Sequence, residues 1–210
     1  MAHPAAAVGA VTHYGRAILV TVAGRGSVPF VVDRRSVALI GDGLPSAPCH
    51  HEAQALARPA AAELIGRVRA AIDVRAAAAL RDLERSVRAH CRLLVLAHRT
   101  PRPLPSTLDG ILDSRPATLI ADAEMYLIAL SRAAGRCNLP VATRARGTEM
   151  EAAARALGAG ADEVDAFLRG LRASLGPPWQ VDHRTAAAAA LGAAARDQGW
   201  RLPEARGASG

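Results

Sequence analysis

Several residue types are scarce in this chain of 210 residues. Aromatic residues make up only 3% of the sequence, although 50% of it is hydrophobic, so the core must be built from alanine, leucine, valine and isoleucine. Lysine is absent, and the basic side chains other than histidine are therefore all arginines. This bias towards alanine and arginine is typical of a GC-rich bacterial genome, so the arginine content alone is weak evidence for function.

Cysteine is also rare, and its positions argue against two kinds of small domain. Cys49, Cys91 and Cys137 are odd in number and none of them pairs at C-x-x-C spacing. A disulfide framework and a zinc ribbon are therefore not expected. The sequence also lacks an apolar run long enough to span a bilayer and the basic, then apolar, start of a signal peptide. We expect a cytoplasmic protein with no membrane partner.

The charge of the chain is strongly one-sided. The formal net charge is +7 at pH 7, and the pI is near 10.7. A basic excess of this kind favours a polyanionic partner such as nucleic acid. Because codon bias contributes to the arginine content, the charge supports a nucleic-acid partner without requiring one.

Three apolar runs rich in β-branched residues begin near Arg16 and predict three neighbouring strands. Residues 24–27 separate the first two runs, and Arg34-Arg35 separates the last two, which is the pattern of an antiparallel meander. The runs are AILVTVAG, VPFVVDRR and SVALIG.

The rest of the chain alternates helical and strand patterns. A long helix is predicted from Pro59 to about His90, followed by a strand over 91–98. Later elements are a helix over 117–135, a strand around Val141, helices over 149–157 and 162–174, and an alanine-rich helix from Asp182. This order predicts an α/β domain of three layers with a mixed five-stranded sheet, in which two helix-separated parallel strands follow three antiparallel ones. We expect an irregular lead-in over 1–14, a single domain over 15–199 and a disordered tail over 200–210.

Three stretches in the second half resemble the RuvC-type Holliday-junction resolvases of the ribonuclease H-like superfamily. They are MYLIALSRAAGRCNLPVATRA, GTEMEAAARALG and VDHRTAAAAALGAAA. The resemblance implies a ribonuclease H-like fold over about 16–196. It also implies metal-dependent hydrolysis of phosphodiesters, in which three or four carboxylates hold two Mg²⁺ or Mn²⁺ ions.

The resemblance transfers one carboxylate clearly and leaves two without counterparts. The acid of the closing helix corresponds to Asp182, with His183 beside it. The run AILVTVAG, taken as the first strand, carries no acid, and the fourth strand ends at His98, with Asp122 and Glu124 as the nearest acids. Either the nuclease activity is lost, or the site uses other ligands.

The loop CHHE, residues 49–52, offers such ligands, because imidazole and carboxylate groups bind divalent metals. We therefore predict Asp182, His183 and Glu124 as catalytic residues, and Asp182, Glu124, His50 and His51 as metal ligands. The alternative is structural. Asp182 would cap the closing helix, and His50 and His51 would form hydrogen bonds in an exposed loop.

Four arginines recur at helical spacing near the end of the long predicted helix. We predict that they contact phosphates together with Arg184, whereas the alternative is a solvated helix face. The four are Arg81, Arg85, Arg88 and Arg92.

Three functions remain open from the sequence. The first is a metal-dependent nuclease or nucleic-acid-binding protein of ribonuclease H-like fold. The second is a catalytically degenerate structural or protein-interaction module of the same fold, which the missing first-strand acid favours. The third is a small-molecule enzyme that uses the His-His-Glu loop.

Overall fold

A computed structural model describes residues 4–99 and 103–203 of the chain. Its five strands form one sheet in the order β3-β2-β1-β4-β5. The strands are β1 (Ala5–His13), β2 (Arg16–Arg25), β3 (Val28–Ala38), β4 (His90–His98) and β5 (Val141–Ala145). Neighbours among β1, β2 and β3 are antiparallel, whereas β4 is parallel to β1 and β5 is parallel to β4. The predicted α/β class and mixed five-stranded sheet are therefore confirmed.

Helices cover both faces of the sheet. After a 3₁₀ turn over Glu52–Ala55 they are α1 (Arg58–Ser86), α2 (Leu108–Leu112), α3 (Arg115–Arg136), α4 (Glu149–Leu157), α5 (Ala161–Gly170), α6 (Arg172–Leu175) and α7 (Val181–Gln198). One core contains residues of α1 and α3 together with Val8 and Leu94 of the sheet. A second core, which contains residues of α4 and α7, includes Val11 and Ala97 from the same strands. Within the described residues, no helix is both long and apolar enough to cross a membrane.

The predicted irregular lead-in over 1–14 is wrong, because residues 5–13 form the central strand β1. Alanine and glycine are weak strand formers, so strand propensity does not predict a strand for the run AAAVGAVTH. Its small residues are nevertheless required by the packing. A Cβ atom on Gly9 would lie 1.7 Å from the carbonyl oxygen of Ala186 in α7, so only glycine lets that helix lie so close to the sheet.

The predicted turn at Arg34-Arg35 is also wrong, because β3 runs unbroken from Val28 to Ala38. The two arginine side chains have different partners. Arg34 donates to the carbonyl oxygen of Leu175 in α6 at 2.7 Å, whereas Arg35 pairs with Asp33 at 2.7 Å and with Asp82 of α1 at 3.0 Å. Adjacent strand residues point to opposite faces, so both arginines are accommodated without a turn.

The alanine-rich helix α7 is a buried central helix. Ala186 to Ala190 are each 0% exposed. A Cβ atom on Gly192 would lie 3.0 Å from the backbone nitrogen of Ala153 in α4, so this helix pair is packed at backbone contact. Small side chains therefore allow α7 to pack closely against both the sheet and α4.

The predicted tail begins too early. Trp200 is only 2% exposed and lies against Gly24 of β2, while the backbone N–H of Arg201 donates to the carbonyl oxygen of Ser27 at 2.7 Å. The chain is thus fixed to the β2–β3 hairpin just beyond α7, and residues 204–210 of the predicted tail lie outside the described residues.

Candidate functional site

The carboxyl ends of three strands meet at one edge of the sheet, which we call the site edge. The strands β1, β4 and β5 are parallel to one another and end at His13, His98 and Ala145. Helices α3, α4 and α7 begin near this edge, because Leu119 contacts Tyr14, α4 follows β5 directly, and the first turn of α7 contacts β1. Helix N-termini carry partial positive charge, so the backbone favours an anion here.

The centre of the site edge is formed by His13, Asp182 and Arg146. The Nε2–H of His13 donates to Oδ2 of Asp182 at 2.8 Å, and a terminal nitrogen of Arg146 lies 3.3 Å from Oδ1. The three side chains are 34%, 27% and 30% exposed, respectively. Both carboxylate oxygens of Asp182 therefore face hydrogen-bond donors. Asp182 was predicted as a site residue, whereas His13 and Arg146 were not.

The first strand of the fold is β1, and the run AILVTVAG belongs to the second strand, β2. The strand β1 carries no acid, and its last residue, His13, contacts Asp182. The missing first-strand carboxylate is thus a property of the site itself. A hairpin signal was available in the sequence, since Gly15 between β1 and β2 has a φ of 83°, a conformation that favours glycine.

Other polar groups extend the basic character of the edge. The backbone N–H of Arg146 donates to the carbonyl oxygen of His98 at 2.7 Å and joins the ends of β4 and β5. His98 is half-buried, and Arg99 beyond it is exposed. The hydroxyl of Tyr14 donates to the carbonyl oxygen of Leu119 at 3.3 Å. Burial, assisted by a nearby carboxylate, raises the pKa of Tyr14, so this phenol stays protonated at neutral pH.

His183 has a packing and capping role. It is 4% exposed, its Nδ1 accepts from the backbone N–H of Gln180 at 3.3 Å, and its ring lies 5.8 Å from that of Trp179. Burial lowers the pKa of His183, as does Arg34, while Asp182 acts in the opposite direction. The ring is therefore neutral at pH 7 and is engaged at the helix start, so its predicted catalytic role receives no support from this geometry.

The CHHE loop is held by a buried carboxylate. Asp122 is 0% exposed and accepts from the backbone N–H groups of Cys49 and His50, both at 2.9 Å. Burial raises the pKa of Asp122, and these hydrogen bonds oppose the increase. The hydroxyl of Thr118 donates to its own helix, so it accepts from Nδ1–H of His50 at 3.2 Å. Asp122 and His50 therefore fix the loop conformation.

The same loop does not supply a nucleophile. Cys49 is 0% exposed, and burial, followed by the charge of Asp122, raises the pKa of its thiol to about 12. The thiolate is the reactive form of cysteine, so Cys49 is inert at neutral pH.

The predicted metal ligands do not converge. In the described parts of the chain, no group of three or more His, Cys, Asp and Glu side chains is arranged to hold a metal ion. At the site edge Asp182 is the one carboxylate of the central trio, and both of its oxygens already face donors. Two-metal centres need several carboxylates, so the residues present do not fit the paired-metal centre that the resemblance implied. Glu124 lies half-buried on α3, and His51 is exposed beside the His50 ring.

The predicted arginine stripe is divided among several elements, because α1 ends at Ser86 and Val87 is extended. Arg81 and Arg85 belong to the last turns of α1, Arg88 follows it, and Arg92 belongs to β4. They lie near the beginning of β4, at the sheet edge opposite the site edge. Their contact with nucleic acid stays a prediction that the site does not require.

Arg184 is directed to another helix. Its Nε lies 3.9 Å from a carboxylate oxygen of Asp165 in α5, and Arg169 pairs with the same carboxylate at 2.7 Å. The predicted phosphate contact of Arg184 therefore competes with an internal ion pair.

Comparison with known proteins identifies the fold. No protein-family model matches the sequence, and no curated protein matches it. Among solved structures, the RuvC of Thermus thermophilus is 17% identical, with a TM-score of 0.53 over 92% of this chain and 95% of that one. The same protein in complex with a Holliday-junction substrate is similar at 16% identity and a TM-score of 0.53, covering 92% of this chain and 94% of that one. The yeast mitochondrial Holliday-junction resolvase Ydc2 is 11% identical, with a TM-score of 0.51 over 94% of this chain and 82% of that one. The chain therefore has the ribonuclease H-like fold of the RuvC-type resolvases, as the sequence predicted.

Proposed function

We propose that the protein binds branched nucleic acid at the site edge and contacts phosphates there through cationic side chains instead of metal ions. The observation that carries the proposal is the trio of His13, Asp182 and Arg146. A histidine stands at the end of β1, and an arginine closes the other side of the carboxylate.

The charges of the site edge support this proposal. Arg99 is exposed and Arg146 is part-exposed, and both are cationic, whereas Glu149 at the start of α4 is buried and accepts from the backbone N–H of Gly147. Asp182 is the one carboxylate of the trio. The partial positive charges of nearby helix starts act in the same sense as the two arginines. Phosphate contacts of this type give affinity without base recognition and weaken steeply with salt.

The shape of the fold supports a branched substrate. The Thermus thermophilus RuvC that this chain resembles over most of its length has been solved with a Holliday junction. We infer that the present chain keeps the binding surface of that fold and lacks the carboxylates of the chemistry. Such a protein would be a catalytically degenerate member of the fold, as the absence of an acid on the first strand suggested, with nucleic acid as its partner.

Binding is tested by gel shift with a four-way junction, the matching duplex and a single strand over a salt series. We expect the junction to bind most tightly and its affinity to fall steeply as salt rises. The absence of junction binding at low salt would contradict the proposal and support a protein-interaction module instead.

Cleavage is tested on the same junction with Mg²⁺ or Mn²⁺, for the wild type and for Asp182→Asn. We expect no product from either protein. Cleavage by the wild type that Asp182→Asn abolishes would instead support the metal-dependent nuclease, with Asp182 as a ligand.

A further inference from the structure

A second cationic feature lies between α4, α7 and the edge strand β5. It is a cavity of about 280 Å³ with an arginine from each of the three elements around it. These residues, Arg144, Arg155 and Arg196, are called the arginine pocket.

The pocket exists because its floor is made of very small residues. Ala152 and Ala156 of α4 and Gly192 of α7 are among the residues that line the cavity. A Cβ atom on Gly192 would lie 3.0 Å from the Cβ of Ala152. The close approach of the two helices therefore demands small residues, and their lack of side-chain volume leaves the neighbouring space unfilled.

The arginines of the pocket lack internal counter-charges. Among the described residues, no carboxylate lies within ion-pairing distance of Arg144, Arg155 or Arg196, so the three guanidinium groups are free to bind a ligand. Asp197 also lines the cavity. Three positive charges less one negative charge leave a lining of about +2, which favours an anion.

Arg144 is half-buried, whereas Arg155 and Arg196 are exposed. The Nε of Arg144 is buried and has no hydrogen-bond partner among the described residues. Because this nitrogen is closed to a water-sized group, a ligand in the cavity would contact the terminal nitrogens of the guanidinium group instead.

We propose that the arginine pocket binds a phosphate group. Guanidinium groups are planar and weakly hydrated, and they bind phosphate oxygens through paired hydrogen bonds. The cavity is open, and its volume is far above the roughly 10–15 Å³ of cavity space that one water needs, so it has room for a phosphate group. Either a nucleic-acid backbone or a free nucleotide carries this group.

The pocket is separate from the site edge and does not depend on its proposed function, because Gly192 and Arg196 lie about 15–21 Å beyond Asp182 along α7. Arg144 precedes Arg146 by two residues, and its β4 partner, Ala97, belongs to the core on the α4 and α7 face. A phosphate group can therefore occupy the pocket whether or not nucleic acid is bound at the site edge.

Calorimetric titration with pyrophosphate and with adenosine monophosphate, at low salt, tests the pocket. Arg144→Gln removes the half-buried guanidinium group, and Ala156→Leu fills the cavity without changing the charge. Arg136→Gln, at the exposed far end of α3, is the matched loss of one charge. We expect at least a tenfold loss of affinity for the first two variants and less than a twofold change for the third.

Two results would overturn the phosphate site. One is a wild type that binds neither probe, and the other is an equal loss for Arg144→Gln and Arg136→Gln, which indicates charge alone. If Ala156→Leu does not fold, the comparison of Arg144→Gln with Arg136→Gln decides the question.

Gel shift with a single-stranded oligonucleotide distinguishes a nucleic-acid backbone from a free nucleotide as the source of the phosphate. Weaker oligonucleotide binding by Arg144→Gln indicates a backbone phosphate, whereas unchanged oligonucleotide binding with lost nucleotide binding indicates a nucleotide. Arg146→Gln is expected to retain pyrophosphate binding, so failure of the site-edge proposal is distinguished from failure of the pocket.

Discussion

His13 at the end of β1 donates to Asp182 in the first turn of α7 at 2.8 Å, across 169 residues of sequence. This hydrogen bond links the central strand to the buried alanine helix at the site edge. It also places an imidazole beside the one carboxylate that the resemblance to the resolvases transfers clearly. The trio therefore places an imidazole and a guanidinium group around one carboxylate, where two-metal chemistry needs several carboxylates.

A carboxylate at position 13 is expected to create a metal response. His13→Asp places two like charges side by side, which is expected to destabilise the fold by about 1 kcal/mol at this half-exposed position. The melting temperature then falls by about 3 °C and recovers with Mg²⁺ or Mn²⁺. The wild type and His13→Asn are expected to show no shift with either ion. Thermal denaturation with and without metal checks this, and a wild type stabilised by Mn²⁺ would contradict it.

Acid is expected to destabilise the protein through His183. Because burial lowers its pKa in the folded state, the unfolded chain binds the proton more readily. Its contribution to stability is present above the ordinary pKa of about 6.5 and is lost as the pH falls below that value. Urea denaturation of the wild type at pH 7 and pH 5 should show this loss, and His183→Gln should reduce it. An equal pH dependence in both proteins would exclude the assignment.

Loss of the Asp122 carboxylate is expected to release the CHHE loop. Asp122→Ala leaves two backbone N–H groups without their acceptor, and each unpaired buried donor costs about 1–3 kcal/mol. We expect the free energy of unfolding to fall by about 3 kcal/mol. Glu124→Ala, on the same helix and half-buried, should change it by about 0.5 kcal/mol or less. Equal effects in urea denaturation would remove the anchoring role of Asp122.

Two glycine substitutions are expected to act in opposite directions. Gly9→Ala forces the new methyl group onto the Ala186 carbonyl and should destabilise the fold by at least about 2 kcal/mol. Gly66→Ala in α1 meets no atom within 4 Å and should stabilise it by up to about 1 kcal/mol. Chemical denaturation of both variants checks the close contact between β1 and α7, which a tolerated Gly9→Ala would disprove.

The alternation of helices and strands after β3 and the position of Asp182 could be predicted from the sequence because they depend on local patterns. Apolar runs predicted the strands β2 and β4, and the alanine-rich run that follows Asp182 predicted the helix α7. The strand β1 could not be predicted, since its alanines and Gly9 are selected by contact with α7 and not by strand propensity. Arg34 and Arg35 were misinterpreted as a turn because their partners on opposite faces are invisible in the sequence.

The site was only partly predictable for the same reason. Asp182 was identified from its place before a helix, but its neighbours come from strand order. His13 and Arg146 reach it because β1 lies between β2 and β4 while β5 lies beyond β4. His50 and His51 looked like ligands in the sequence, but Asp122 holds their loop through backbone groups, which side-chain chemistry alone does not reveal.

The affinity of Arg146→Gln for a four-way junction in the presence of EDTA tests the central claim most directly. With divalent ions removed, the wild type should still bind. Arg146→Gln should bind about tenfold more weakly, because a charged hydrogen-bond partner of the phosphate is lost, whereas Arg136→Gln should bind within about twofold of the wild type. If EDTA abolishes wild-type binding, or if Arg146→Gln and Arg136→Gln bind equally well, the proposed metal-free cationic site is contradicted.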